Sequence, residues 1–256
     1  MISELHKAWN IQPHNIYGDE FTGYEPVMDQ LDSYGKVEFN KDPEGVVDAV
    51  FDIYRSINLV PIIYFTHAGL VRAIKDFKTI SYNNVDNERI GLGNNRGQPI
   101  SRFLFPNMMT AEPKGRGTNS LKDRFYNDTK LKRAIRICFE MREGLHLTRP
   151  TALRRALELV TGENVQNFKP QHARSIVEHL CPVLWGNVYD YSCGYGGRLL
   201  GISSSNMTYN YIGVEPNTET VNYLNYLNDL LDEAVGVRGT IIQNVSEDYK
   251  PTDIDC

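Results

Sequence analysis

The sequence of 256 residues predicts an α/β protein: a mainly helical N-terminal region, then part of a doubly wound parallel sheet of which strands one to three are present. Three observations predict it. Helix-period apolar patterns dominate the first 165 residues, and short β-rich runs alternate with amphipathic helices from Asn187 onward. Glycines 194, 196 and 197 stand between the first such run and the next helix. The composition agrees, since 41% hydrophobic and 23% charged residues suffice for a substantial core and exclude a disordered chain or a fibre. The longest apolar stretch, Asn58 to Phe65, falls far short of the roughly 20 residues that span a bilayer. The first ten residues lack the basic segment and apolar run of a secretory signal, so a cytoplasmic location is expected.

The elements follow in order. Val46, Val47, Val50, Phe51 and Tyr54 recur at helical spacing, as do Leu70, Ile74 and Phe77, which gives two early helices. Between Thr79 and Ser120 the chain is rich in Asn, Gly and Pro and reads as long loops, broken by an apolar run at Phe103 to Phe105. A basic helix is expected from Leu121 to Met141 and another from Arg149 to Thr161, with Pro150 inside its start and Gly162 just past its end. Pro170 to Leu180 is a further amphipathic helix. Strands are expected at Asn187–Tyr191, Tyr209–Val214 and Thr240–Gln243, with helices from about Arg198 and from Thr218 to Ala234 between them. Ile254 hints at a fourth strand. The implied domains are residues 1–165, helical with long loops, and residues 166–256, the sheet.

Charge is unevenly placed. The formal net charge is -5, yet residues 114–155 alone carry +8, from twelve Lys or Arg against four acids. Such a block is a candidate polyanion footprint, with Lys114, Arg116, Lys130, Lys132, Arg133 and Arg136 as candidate nucleic-acid contacts. The competing reading is a solvated helix face whose cations pair with acidic residues elsewhere in the chain. Cys138, Cys181, Cys193 and Cys256 are too widely spaced for a zinc knuckle or a redox dithiol, and disulfides are not expected in this compartment. His172 and His179 suit one helix face but have no third ligand nearby, so no metal is expected.

The most informative segment is Asp190-Tyr-Ser-Cys-Gly-Tyr-Gly-Gly197. Glycines directly after a strand let backbone approach a ligand closely, and the following helix start offers free N–H groups. A dinucleotide fingerprint from Gly194 would need glycine at 199, where the chain has Leu199, and no phosphate-binding Gly-x-x-x-x-Gly-Lys-Ser/Thr occurs. Asp190 suits a ligand with an ammonium group instead, and Glu215, at the end of the next strand, can accept both hydroxyls of a ribose. Cys193 reads as a small packing residue.

An ammonium beside a ribose describes S-adenosylmethionine, and at these residues the chain resembles the class I methyltransferases, most of all the DNA amino-methyltransferases (N6-adenine or N4-cytosine). Asp190 to Gly197 is similar to that family's first motif and Glu215 to its ribose-binding acid, while Phe168-Lys-Pro170 resembles the segment that closes over the methionine end. Gln243-Asn244 falls where the third strand approaches the adenine. The resemblance covers about residues 167–247 and implies a Rossmann-like methyltransferase sheet that binds S-adenosylmethionine through Phe168, Asp190, Ser192, Cys193, Gly194, Gly196, Glu215, Pro216 and Asn244. It further implies an enzyme that methylates DNA at an exocyclic base amine, with DNA as partner. The family's Pro-Pro-aromatic catalytic tetrapeptide is missing, so no catalytic residue is assigned. The sequence reaches Cys256 where strand four would begin, so a C-terminal chain or domain is expected to complete the sheet, and this chain alone is expected to be inactive. A small-molecule or protein methyltransferase, or a non-catalytic nucleic-acid-binding module, are the alternatives.

Overall fold

The computed structural model describes residues 23–79, 95–113, 119–141, 146–161, 165–181 and 183–255. In chain order the helices are α1 (Met28–Asp32), entered through a 3-10 turn at Glu25–Val27, then α2 (Lys36–Lys41), α3 (Pro43–Ile57), α4 (His67–Thr79) and α5 (Gln98–Leu104). They continue with α6 (Pro106–Thr110), α7 (Leu121–Tyr126), α8 (Asp128–Glu140), α9 (Pro150–Thr161) and α10 (Pro170–Leu180). The sheet segment runs β1 (Trp185–Asp190), α11 (Gly197–Ser203), β2 (Thr208–Val214), α12 (Thr218–Val235) and β3 (Thr240–Ile242). The described residues group into two compact units, one within His67–Asn107 and Gln166–Cys256, the other within Ile2–Thr66 and Met108–Val165. Residues 67–107, placed by the sequence with the N-terminal helices, thus belong to the sheet unit.

A mainly helical region therefore precedes a partial, three-stranded parallel sheet of Rossmann-like, doubly wound type. The strand order is β1-β2-β3, with Val188 opposite Tyr211, Asp190 opposite Gly213, and Gly213 opposite Ile241. This register brings the C-terminal ends of β1 and β2 side by side, which is where open α/β sheets bind ligands. Among the described residues the fourth strand hinted at by Ile254 is not formed: Asp253 turns at φ +56°, and the edge of β1 is met at Asn187, where Asp255 N–H reaches Asn187 O at 3.0 Å, Asn187 N–H reaches the Asp255 carboxylate at 2.8 Å and the Asn187 amide donates to Asp253 O at 2.7 Å. Among the described residues β1 pairs with β2 alone, and Leu180, Leu184 and Trp185 are exposed beside it.

Helices α10 and α11 touch through backbone. A Cβ on Gly197 would stand 1.9 Å from Phe168 O, and one on Gly201 would stand 2.2 Å from Pro170 O. No side chain fits at either position. The fully buried Arg174 of α10 then donates to the terminal carbonyls of α4, Phe77 O at 2.9 Å and Lys78 O at 3.1 Å, a favourable place for a cation at a helix C-terminus. Its Nε meets Glu178 at 3.2 Å, and Glu178 accepts Asn206 N–H at 2.6 Å from the loop behind α11. Burial pushes the Glu178 carboxyl up to about 7, against the opposing pull of the Asn206 hydrogen bond. Asn228 of α12 exchanges two hydrogen bonds with the backbone of Gly239 and so fixes the entry to β3.

In the helical unit, α3 packs on α8 and α8 on α9. Helix α3 starts at Asp42, whose side chain caps Gly45 N–H at 3.0 Å with Pro43 in the first turn, and ends at Asn58 in the left-handed conformation. Its core holds the stacked rings of Phe39 and Phe139, 4.6 Å apart, and the buried Tyr54, which donates to Thr148 O. The basic segment forms two helices, α7 and α8, rather than one. Asn127 adopts an extended conformation and its side chain caps Lys130 N–H at 3.0 Å, so the break is a cap written in the sequence as Asn-Asp. The Phe103–Phe105 run, expected within loops, forms the end of α5 and its cap: Gly97 at φ +80° precedes the helix and Pro99 lies in its first turn, where proline is tolerated. Residues 1–22, 80–94, 114–118, Gly162 and Cys256 carry other sequence readings and lie outside the described residues. No described helix is long and apolar enough to cross a membrane.

Two predictions follow from this packing. Gly201→Ala drives a methyl group into the Pro170 carbonyl and is expected to cost about 1–3 kcal/mol or more, read as a lower denaturation midpoint with unchanged slope. The second concerns pH. Glu178 binds its proton more tightly folded than unfolded, so stability of the sheet unit falls as pH rises from about 4.5 to about 7. Asp32 in the helical unit behaves oppositely: the hydrogen bond from Arg149, with that from His146, holds it down at about 2, so its contribution is present above the ordinary 3.8 and is lost as pH falls toward 2. Denaturation across both windows checks the signs, with Glu178→Gln expected to flatten the upper one.

Candidate functional site

The site forms where β1 and β2 end. The chain leaves β1 at Asp190, turns through residues 191–196 and enters α11, while β2 ends at Val214 and delivers Glu215 beside the turn. Two glycines in the turn have positive φ, Gly194 at +50° and Gly196 at +68°, but they serve different purposes. A Cβ on Gly196 would collide with Leu227 and Phe105 at 2.8 Å, so that glycine permits internal packing. A Cβ on Gly194 would meet nothing closer than Ser192 O at 3.9 Å, so there the turn faces open space.

Glu215 is buried and held by backbone. Gly194 N–H reaches its Oε2 at 3.1 Å and Asn217 N–H its Oε1 at 3.0 Å, while its own N–H donates to Ile242 O at 3.0 Å. Each carboxylate oxygen has accepted one hydrogen bond and retains acceptor capacity. This carboxylate can receive a vicinal diol.

Asp190 has other partners than the ligand ammonium expected from the sequence. Its Oδ2 accepts Arg198 Nε at 2.7 Å and the Tyr211 hydroxyl at 2.6 Å, and its Oδ1 accepts Ser192 N–H at 3.1 Å. Tyr211 is fully buried, which raises its phenol well above its ordinary pKa and keeps it a donor. Arg198 in turn lies over the Phe168 ring, 5.3 Å from its centroid. Phe168, Asp190, Ser192 and Arg198 border a cavity of about 410 Å³ whose apolar lining comes from α10, β1 and α11, including Val177, Val188 and Ile202. Asn167 ties this segment to the turn by donating to Tyr195 O at 2.9 Å.

Of the sequence-derived residues, Phe168, Asp190 and Ser192 thus gather at the cavity, and Gly194 and Glu215 form a second contact pair next to it. Pro216 is exposed between Glu215 and the cap of α12, and Asn244 follows β3 with its side chain accepting Val245 N–H at 2.8 Å. Cys193 is buried with its N–H on Val214 O. Burial, with the charges of Asp190 and Glu215, pushes its thiol up to about 12. Sequence reasoning missed Arg198 and Tyr211. Their spacing from Asp190, eight and twenty-one residues, matters only once the strand register is known. Among the described residues no group of three His, Cys, Asp or Glu can hold a metal ion, and Cys138 and Cys193 are buried thiols whereas Cys181 is disulfide-bonded, contrary to expectation.

The basic block is largely engaged within the helical unit. Lys114 and Arg116 lie outside the described residues. Lys132 pairs with Asp48 at 2.7 Å, Arg136 with Glu44, Arg149 with Asp32, and Arg154 and Arg155 with Glu158 at 2.5 and 2.7 Å. The buried Arg124 donates to backbone carbonyls, and Lys130 to Asn119 at 2.7 Å. Lys122 and the exposed Arg133 make no ion pair among the described residues.

No family model matches the chain, and neither a curated protein nor a solved structure matches it. The site must be read from its own geometry.

One chemical consequence is direct. With its thiol pKa at about 12, Cys193 is about one part in ten thousand thiolate at pH 8, so iodoacetamide should leave it unmodified in the folded chain and label it after unfolding, as peptide mass spectrometry would show.

Proposed function

We propose that this turn binds S-adenosylmethionine and that the chain is the cofactor-binding portion of a methyltransferase. The observation that carries the proposal is Glu215: a buried carboxylate at the end of the second strand, fixed by two backbone amides, with acceptor capacity left on each oxygen. Those residues fit a ribose diol. The adjacent cavity, apolar with a polar rim at Asp190, Ser192 and Arg198, fits the amino-acid arm. Leu199 is fully buried in α11 where a dinucleotide site would need glycine, which disfavours a nicotinamide or flavin cofactor. When bound, S-adenosylmethionine supplies an electrophilic methyl group; the residues described here bind and orient it.

Calorimetry tests the reading. Removing the Glu215 carboxylate leaves the diol unpaired, at about 1–3 kcal/mol, so Glu215→Ala should weaken S-adenosylmethionine or its demethylated product by roughly ten- to a hundredfold. Tighter binding of NAD than of S-adenosylmethionine, or equal affinity in the variant, would overturn it.

DNA as acceptor rests on the basic block, and the ion pairs within that block reduce its support. Among the described residues Lys122, Lys130 and Arg133 make no ion pair; with these three as the phosphate contacts, duplex affinity should fall by roughly fortyfold between about 50 and 200 mM salt, against about a thousandfold had six cations met phosphates. A fluorescence titration separates these cases, and a flat response favours a small-molecule or protein acceptor. The edge of β1, which pairs with no other strand among the described residues and has Trp185 74% and Leu184 69% exposed, supports the further proposal that a strand from another domain or chain completes the sheet.

A further inference from the structure

We propose that Arg198 recognises a carboxylate at the mouth of the cavity, and that it is the α-carboxylate of the cofactor's amino-acid arm; the inference rests on the reading of the site given above. Three features of the structure lead there. The first is the engagement of Asp190, three of whose four acceptor sites are taken, by Ser192 N–H on Oδ1 and by the Tyr211 hydroxyl and Arg198 Nε on Oδ2. A ligand ammonium would meet a carboxylate whose charge is already matched. The second is the state of Arg198 itself. Only its Nε is engaged, and its two terminal amino groups make no hydrogen bond among the described residues. The third is that the guanidinium is held on both sides, by Asp190 at one edge and by the Phe168 ring under its plane, and it borders the cavity.

A guanidinium so fixed presents a pair of parallel donors, the geometry that a carboxylate accepts in bidentate fashion. Phosphate fits less well. A dianion here would lie against the Asp190 carboxylate, 2.7 Å from the same guanidinium, whereas a monoanion on an apolar stem meets less repulsion at the unused guanidinium N–H groups above a lining of Val177, Val188 and Ile202. The polarity of the cavity mouth is therefore the reverse of what Asp190 alone suggests: Asp190 is a positioning residue, and Arg198 makes the ligand contact.

The experiment compares two ligands on the full chain by calorimetry: S-adenosylmethionine and its decarboxylated form, which differ only in the group that Arg198 would hold. Wild type should bind the first about ten- to a hundredfold more tightly, Arg198→Gln should lose that preference, and Arg198→Lys should keep part of it. A purely structural role, neutralising Asp190, would instead weaken both ligands alike. The wild-type comparison needs no variant, so it decides even if Arg198→Gln unfolds. Equal wild-type affinity for the two ligands, with both sensitive to Glu215→Ala, overturns the role of Arg198 and leaves the cofactor reading standing. Preference that persists in Arg198→Gln also overturns it. Binding of neither ligand overturns the cofactor reading and this inference together.

Discussion

The close approach of backbone to backbone at Gly197 and Gly201 is the constraint on which the site depends. With 1.9 Å between a hypothetical Cβ and Phe168 O, and 2.2 Å at Pro170 O, the segment 167–170 rests directly on α11. Everything that borders the cavity follows from that contact. Phe168 comes to lie under the Arg198 guanidinium, Asn167 reaches the carbonyl of Tyr195 in the turn, and α10 is set so that Arg174 reaches the end of α4. A methyl group at Gly197 would strike the Phe168 carbonyl and the Asn167 side chain, and one at Gly201 the Pro170 carbonyl and the Ala173 side chain that lines the cavity. Glycine at the helix start is thus a packing device here, and only Gly194 keeps the open space that a ligand needs.

A second layer of constraint is electrostatic. Asp190 and Glu215 end adjacent parallel strands, and two bare carboxylates so placed would repel one another and draw in water. The chain resolves this unequally. Asp190 is matched by a guanidinium and a buried phenol, so it organises Arg198 and Tyr211, whereas Glu215 is held by two backbone amides and keeps acceptor capacity. One acid has become part of the framework while the other remains available, and that division gives the site a direction: an acceptor on the β2 side and a donor on the β1 side. Such an arrangement suits a ligand with a diol at one end and an anion at the other.

Much of this was legible in the sequence, for reasons that can be named. The three strands, and α10 and α12, are each signalled by periodicity and by local caps such as Asn217, Pro170 and Gly236, all of which act within a few residues. The position of Glu215 was legible because it depends only on the end of a strand. The features that escaped are those set by partners distant in sequence. Arg198 reads as an unremarkable first-turn arginine until the register places Tyr211 and Asp190 together, and the membership of α4 and α5 in the sheet unit depends on contacts such as Arg174 to Phe77 O, ninety-seven residues apart. Asn127 is an intermediate case: its capping chemistry is local, but a basic amphipathic pattern that continues across it masks the break.

The basic block shows why charge counted along a chain is a poor measure of charge presented to a partner. Helix periodicity puts Lys132 and Arg136 four residues apart on one face of α8, and Asp48 and Glu44 four apart on the facing side of α3, so packing two amphipathic helices zips the cations to the acids. Arg154 and Arg155 converge on Glu158 within one helix, and Arg149 on Asp32. The exposed pairs, Lys132–Asp48 and Arg136–Glu44, add little stability, about 0–1 kcal/mol each, yet each removes a cation from the surface field without removing it from the count. An excess of eight over 42 residues therefore coexists with few unpaired cations among those described, because the compensating acids are Asp32, Glu44 and Asp48 from the first fifty residues and Glu158 within α9 itself. The acids Asp32, Glu44 and Asp48, which have no role when read alone, acquire one as the counter-charge of α8 and of Arg149 at the start of α9.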